Sequence, residues 1–310
     1  MKLAGWITAL ALGVIGISPA QPRPTRIVSL VPAVTEMLFA VGAGDRVVGV
    51  SSFDRYPPEA ATRARLGALI DPDVERLLAL RPDLAIVYGT QSDLISRLTR
   101  AGVPLLRYEH AELADITQTL RLVGARVGRD GEASRLAARI EDEIANIRRQ
   151  VAGRPRPRTA LVIGREPDAL RGIFASGGVG FMHDMLEAAG GANAFSDVRR
   201  QSLQVSAELL LAREPEVILE AHPPEGWTPA RVARERQLWR AFPGLPAVRN
   251  DRIHILTDEV VLVPGPRVVD GIRLMAQVLH PGAVRRAAGA SGATGYPVRG
   301  AEASRPSREP

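Results

Sequence analysis

The sequence predicts an α/β protein of two related lobes with mainly parallel sheets, joined by one long helix. Three observations predict it. The first half alternates short apolar runs with helical periodicity, the pattern of βαβ units and a parallel sheet. A phrase in the first half returns in the second: Asp73-Val-Glu-Arg-Leu-Leu-Ala-Leu-Arg-Pro-Asp-Leu-Ala-Ile86 and Ser206-Ala-Glu-Leu-Leu-Leu-Ala-Arg-Glu-Pro-Glu-Val-Ile-Leu219. Between the halves, Ala133, Leu136, Ile140, Ile144, Ile147 and Val151 recur at spacings of three and four with charged residues between them, the signature of an amphipathic helix.

In the first lobe, strands are expected at Arg26 to Val31, Val47 to Ser52, Leu84 to Tyr88 and Pro104 to Tyr108. Helices are expected at Thr35 to Val41, Asp73 to Leu80, Leu94 to Ala101 and Asp115 to Val127. The connector from Asp130 to Ala152 would reach roughly 35 Å at about 1.5 Å per residue, and Gly153-Arg-Pro-Arg-Pro157 stops it. It reads as a stiff spine rather than a Gly/Ser linker. In the second lobe, Thr159 to Ile163, Glu216 to Glu220 and Arg252 to Leu256 are strand candidates; Phe181 to Ala189, Ala207 to Arg213 and Arg267 to Leu279 are helix candidates. A second echo, Glu36-Met-Leu-Phe-Ala-Val-Gly42 against Asp184-Met-Leu-Glu-Ala-Ala-Gly190, supports duplication. The expected boundaries are 21–128 for the first lobe, 129–153 for the connector and 154–282 for the second lobe. A cleft between two such lobes is the default ligand site.

The ends read differently. Lys2, the apolar run Leu3 to Ile17 and Ser18-Pro19-Ala20 form an export leader over 1–20, too short to span a bilayer, which takes roughly 20 apolar residues. The chain has no cysteine, which excludes disulfides, thiolate metal sites, cysteine nucleophiles and a cysteine-borne lipid anchor. The mature protein is therefore expected to be free and soluble outside the cytoplasm. Residues 283–310 are rich in Gly, Ala, Ser, Pro and Arg and read as a disordered tail. Its five arginines against two acids account for much of the formal charge of +6, so the high isoelectric point carries no argument for nucleic-acid binding.

Chemical motifs are sparse. The five histidines stand at 110, 183, 222, 254 and 280, and none makes an HxxxH pair that would put two ligands on one helix face. His183 and His254 read as packed or surface residues. Ser176-Gly-Gly-Val-Gly180 lacks the Lys-Ser/Thr of a nucleotide loop and reads as a strand-to-helix turn, whose free N–H groups remain available to a ligand amide. Arg165, Arg171, Arg199 and Arg200 make a conceivable pocket for an anionic ligand, against the simpler reading of solvated arginines. Trp227 and Trp239 either line the cleft or pin a loop. No GxSxG elbow, paired-carboxylate motif or metal cluster points to an enzyme. In the repeated phrase, core packing accounts for the leucines but not for Glu75 and Glu208, which occupy the same place in each copy.

Arg26-Ile-Val-Ser-Leu-Val-Pro-Ala-Val-Thr-Glu36, Val48-Gly-Val-Ser-Ser-Phe-Asp-Arg-Tyr-Pro-Pro58, the glutamate phrase, Gly190-Gly-Ala-Asn-Ala-Phe-Ser-Asp197 and Pro266-Arg267 resemble the helical-backbone class of periplasmic substrate-binding proteins. These serve ATP-driven importers of cobalamin, haem and ferric siderophores. Ser51 to Pro58 is most similar to the cobalamin-binding branch. The resemblance implies a monomeric binding protein, not an enzyme and without a resident cofactor, that delivers a corrinoid to an inner-membrane permease and its ATPase. A ferric siderophore or haem is the alternative ligand, with Tyr88 and His110 as the candidate haem ligands, and a secreted hydrolase the more distant alternative. By the same resemblance Pro32, Ala33, Phe53 and Tyr88 line the cleft from the first lobe, and Phe174 and Glu259 from the second. Glu75 and Glu208 would dock onto arginines of the permease. The sequence departs from the pattern at Leu69 and Ser202, where tryptophans are expected, and at Val263, where an arginine is expected.

Overall fold

The computed structural model describes residues 23–109 and 112–284. The leader, His110 and the tail beyond Val284 lie outside the described residues. Contacts divide the chain into two compact units, one running to Asp142 and including Val263–Arg267, the other comprising Glu143–Leu262 and the chain from Val268.

The first unit contains β1 (Ile27–Ser29), α1 (Pro32–Ala40), β2 (Val47–Val50), β3 (Ala64–Arg65), α2 (Val74–Ala79), β4 (Leu84–Tyr88), α3 (Ser92–Arg100), β5 (Leu105–Tyr108) and α4 (Leu113–Val127). The strands form one sheet in the order β3-β2-β1-β4-β5, and every pairing is parallel. Parallel strands need both faces covered, and Val28, Leu66, Leu77, Ala85, Val87 and Leu98 form a buried cluster on one of them. α5 (Asp130–Val151) begins in this unit and ends in the other. Its stripe is buried as expected at Ala133, Ile140, Ile144, Ile147 and Val151, with Ala137 fully buried where Leu136 is only half-buried.

The second unit continues with β6 (Arg158–Gly164), β7 (Ile173–Ser176), α6 (Phe181–Ala188), β8 (Ala192–Asn193), β9 (Ser202–Val205), α7 (Ala207–Arg213), β10 (Val217–Ala221), α8 (Pro229–Leu238), α9 (Pro246–Arg249), β11 (Ile253–Leu256) and α10 (Val268–Leu279). Its sheet runs β11-β10-β6-β7-β9, with β8 beside β6. β6, β8, β10 and β11 pair in parallel, while β7 and β9 are antiparallel additions. Neither antiparallel strand stands among the sequence expectations. Ser202-Leu-Gln-Val205 nevertheless alternates polar and apolar, the period of a half-buried strand.

Both echoes are structural. α1 and α6 each end two residues before a left-handed glycine, Gly42 (φ 76°) and Gly190 (φ 84°). In each case the following N–H reaches back to close the last turn, Ala43 to Leu38 and Gly191 to Leu186. This is the glycine stop expected where a Cβ would be strained.

Candidate functional site

In an open parallel sheet, ligands bind beyond the carboxyl ends of the strands, where the strand order reverses direction. In the first unit that reversal lies at β1, flanked by β2 and β4. The sequence-expected residues of this unit gather there. Pro32 opens α1 directly after β1, half-buried, with Ala33 buried behind it. A proline suits this first helical position, where its missing N–H has no partner to lose.

Phe53 follows β2 in a turn tied by Asp54. The Asp54 carboxylate accepts from the Ser51 backbone N–H (2.7 Å) and hydroxyl (2.6 Å), and the Phe53 N–H donates to the same hydroxyl (3.2 Å). Arg65 braces the turn by donating to the Ser51 and Asp54 carbonyls. Burial pushes the Asp54 carboxyl up, against the lowering hydrogen bonds of Ser51. The product of this framework is a phenyl ring held 52 % exposed.

Tyr88 ends β4, edge-on to Tyr108 with ring centroids 5.7 Å apart. Its phenol is pushed up to about 12 by burial, with the Asp54 charge adding to the effect. Its backbone N–H donates to Gln91, whose amide donates in turn to the Leu69 carbonyl. That link holds the 67–72 loop beside β4, and the loop presents Leu69 and the almost fully exposed Ile70.

Two further residues of this unit belong near α1. Arg267 makes two hydrogen bonds to the buried Glu36 carboxylate (2.6 and 3.0 Å) and lies 3.8 Å over the Tyr56 ring. Val263–Arg267, late in the sequence, is thereby fixed to the first unit. A buried glutamate inside an apolar helix signals a missing cation, but nothing in the sequence says that the cation comes from 231 residues away.

In the second unit, Phe174 lies on β7 opposite Gly164 at the carboxyl end of β6, 45 % exposed. Glu259 lies three residues beyond β11 in a single 3-10 turn, half-buried, with the preceding Asp258 capping the turn. Both stand at the edge where β6, β10 and β11 end. Behind that edge is a buried ionic network. Arg165 donates to Glu220 (2.8 Å) and Glu235 (2.6 Å), all three side chains at most 4 % exposed. Trp239 donates to the second Glu220 oxygen, and His222 contacts the first at 2.6 Å. Burial pushes Glu220 up, but His222, Arg165 and Trp239 together hold it below the usual carboxylate range.

This network settles several sequence alternatives. Arg165 is consumed internally, and Arg171 is an exposed partner of Glu166, so neither forms an anion pocket with Arg199 and Arg200. Trp239 is a core pin, whereas Trp227 packs tilted against His222, with the Arg231 guanidinium over its ring. The glycine turn also needs a correction. The Gly177 and Gly178 N–H groups, expected to be free, donate to Gln201 and Val198. A Cβ on Gly178 would come within 2.0 Å of the Ser196 carbonyl oxygen, so glycine is there for close backbone approach. His183 and His254 are half-buried on α6 and β11, as expected. Among the described residues, no group of three His, Asp or Glu could hold a metal ion, and no helix is long and apolar enough to cross a membrane.

Glu75 and Glu208 are the second residues of α2 and α7, helices of six and seven residues. Both are exposed. Asp73 and Ser206 cap the two helices with side-chain oxygens that accept from Arg76 and Leu209. The Glu208 carboxyl is held low by its own backbone N–H and the Ser206 hydroxyl. A carboxylate in a first helical turn is favourable to the helix dipole, so position alone does not separate docking from capping. The leucines divide. Leu77 and Leu210 are fully buried, but Leu78 and Leu211 are substantially exposed, against the expectation that all belong to the core.

Comparison with known proteins places the chain. The family described as periplasmic binding protein matches residues 27–260. An uncharacterized ABC transporter substrate-binding lipoprotein of Bacillus subtilis is 25 % identical over 269 residues, 84 % of this chain and 82 % of that protein. The vitamin B12-binding protein of Salmonella typhimurium is 34 % identical over 198 residues, 63 % of this chain and 72 % of its own length. The structure of a periplasmic heme-binding protein from Roseiflexus sp. RS-1 superposes with a TM-score of 0.71 at 28 % identity, over 83 % of this chain and 98 % of that one.

Proposed function

Since the chain belongs to the periplasmic binding protein family, as the solute-binding component of an ABC importer rather than an enzyme, we propose that its solute is a corrinoid. The observation that carries this reading is the exposure of Phe53 and Phe174 at the carboxyl edges of their sheets. An exposed phenyl ring leaves a large apolar area in water, which a broad, partly apolar disc edged with amides would cover. Pro32, Ala33 and Tyr88 supply the remainder of the first unit's surface, and Glu259 an acceptor for the ligand's amide rim. Relatives that bind vitamin B12 support the choice.

The protein acts, in this reading, as a monomer in the periplasm once the leader is removed. Glu75 and Glu208 dock onto cationic residues of the permease. An exposed ion pair contributes only about 0–1 kcal/mol, so the pair governs registration and on-rate more than affinity. A thermal-shift screen with cobalamin, cobinamide, haem and ferric siderophores tests the ligand. Ligand at 100 times its dissociation constant stabilises by about 2.7 kcal/mol. Stabilisation by corrinoids, diminished in Phe174→Ala, is expected; a shift with haem or siderophore alone would replace the ligand and leave the family standing. For docking, Glu75→Arg with Glu208→Arg is expected to abolish uptake at unchanged ligand affinity. Normal uptake by that double variant would refute the docking role.

A further inference from the structure

Leu78 and Leu211 repeat the puzzle of the glutamates. Each lies three residues after its glutamate, so Glu75 with Leu78, and Glu208 with Leu211, are side-by-side neighbours on the surface of one short helix. Their exposures are 36 % and 40 %, while the residue just before each, Leu77 or Leu210, is fully buried. A helix that needed only to anchor itself would place a polar residue at the outer position. Both copies place a leucine there.

The backbone holding these pairs is repeated as well. Arg26, just before β1, donates through its guanidinium to the Leu80 carbonyl at the end of α2 (2.7 and 2.9 Å). Arg158, at the start of β6, donates in the same way to the equivalent carbonyl of Arg213 (3.1 Å). The acid after each proline returns the contact: Asp83 accepts from the Arg26 N–H (2.8 Å), and Glu216 from the Arg158 N–H (2.7 Å). Each unit thus presents one carboxylate and one leucine on a short helix capped by Asp73 or Ser206 at its start and tied to the neighbouring strand through Arg26 or Arg158 at its end.

From this repetition we infer that Leu78 and Leu211 are the apolar half of the permease-docking surface, each seated beside its glutamate in one of two equivalent pockets of the partner. Resting on the docking role of Glu75 and Glu208, the inference adds the chemistry of the occupant: a membrane-protein surface that offers the same feature twice, a cation at the rim of an apolar depression. A lipid surface is a poorer fit, because carboxylates beside the leucines are repelled by anionic headgroups.

The test uses the full mature chain and its own permease–ATPase complex in nanodiscs, with binding followed by interferometry. The variants are Leu78→Gln, Leu211→Gln, their combination, Leu78→Met, Glu75→Gln and Glu208→Gln. Glutamine keeps the buried stem and helix propensity while making the exposed end polar. Each Leu→Gln change is expected to weaken the complex about fivefold, from the apolar area still open to burial, with Leu78→Met restoring it and the melting temperature unchanged. Weakening by Glu75→Gln and Glu208→Gln with less than a twofold effect of both leucine variants would overturn the inference and keep the docking role. No effect from any glutamate or leucine variant would overturn the docking role itself. Equal binding to empty nanodiscs, lost in the Leu→Gln variants, would reassign the leucines to lipid and overturn the inference.

Discussion

Replacing Arg165 by methionine separates an architectural arginine from a ligand-binding one. Arg165 is the cation between two buried carboxylates, Glu220 and Glu235, at 2.8 and 2.6 Å. Removing it strands both. Glu220 keeps the Trp239 indole and His222, whereas Glu235 keeps only a distant contact to the exposed Arg234 at 3.7 Å. Breaking a buried pair from one side costs about 3–5 kcal/mol, and the unbalanced Glu235 should carry most of it. Urea unfolding at pH 7, followed by the fluorescence of Trp227 and Trp239, is expected to show that loss. Glu235→Gln in the Arg165→Met background should recover a substantial part. A loss below about 1 kcal/mol at pH 7, or no recovery in the double variant, would refute the reasoning. A fold left intact with weakened ligand binding would instead return Arg165 to the ligand.

Two further predictions rest on single contacts. His254 on β11 is lowered to about 4, chiefly by burial and then by Arg236 and Arg252, against the opposing charge of Asp251. Its unfolded value is about 6.5, so it contributes stability that is complete above pH 6.5 and lost as pH falls towards 4. That is about 3 kcal/mol at the acid end, and His254→Gln should flatten the stability profile across that window; a profile of unchanged slope would contradict it. Gly178→Ala places a Cβ 2.0 Å from the Ser196 carbonyl oxygen, and overpacking against backbone should cost about 1–3 kcal/mol, read as a lower urea midpoint. An unaltered midpoint would mean that the turn has room and that its glycines answer to something other than packing.

What was legible in the sequence follows a physical division. Elements defined by local pattern are where they were expected: β4 at Leu84–Tyr88 and α7 at Ala207–Arg213 match residue for residue, because each is bracketed by its own stop signals. β7 and β9 are four residues each, too short for their pattern to stand out from the surrounding loops, although β9 alternates, and their stability comes from each other and from β6. The ionic network was illegible for a different reason. Arg165 meets Glu220 and Glu235 across separations of 55 and 70 residues, and an arginine destined for burial looks like any other in a chain with 40 basic residues. Likewise, Phe53 and Phe174 were candidates by resemblance, but only the turn around Asp54 and the pairing of β7 determine that both rings face outward.

The duplicated unit is more alike in geometry than in sequence. α2 and α7 both end in a left-handed residue that is not glycine, Arg81 at φ 47° and Glu214 at φ 46°. For a side-chain-bearing residue that conformation costs about 1–2 kcal/mol, and a glycine would relieve it. Proline follows each one, forcing the chain out of the helix and into the next strand. Strain at such positions persists only where its surroundings over-determine it. Here the surroundings are the reciprocal Arg26–Leu80–Asp83 and Arg158–Arg213–Glu216 contacts. Different residues therefore impose the same abrupt stop, leaving each helix short, capped at its first turn by Asp73 or Ser206 and tied at its last to Arg26 or Arg158. A short helix held in this way has little freedom to tilt, which is the property that the proposed docking role would require of a support whose outer face carries one glutamate and one leucine.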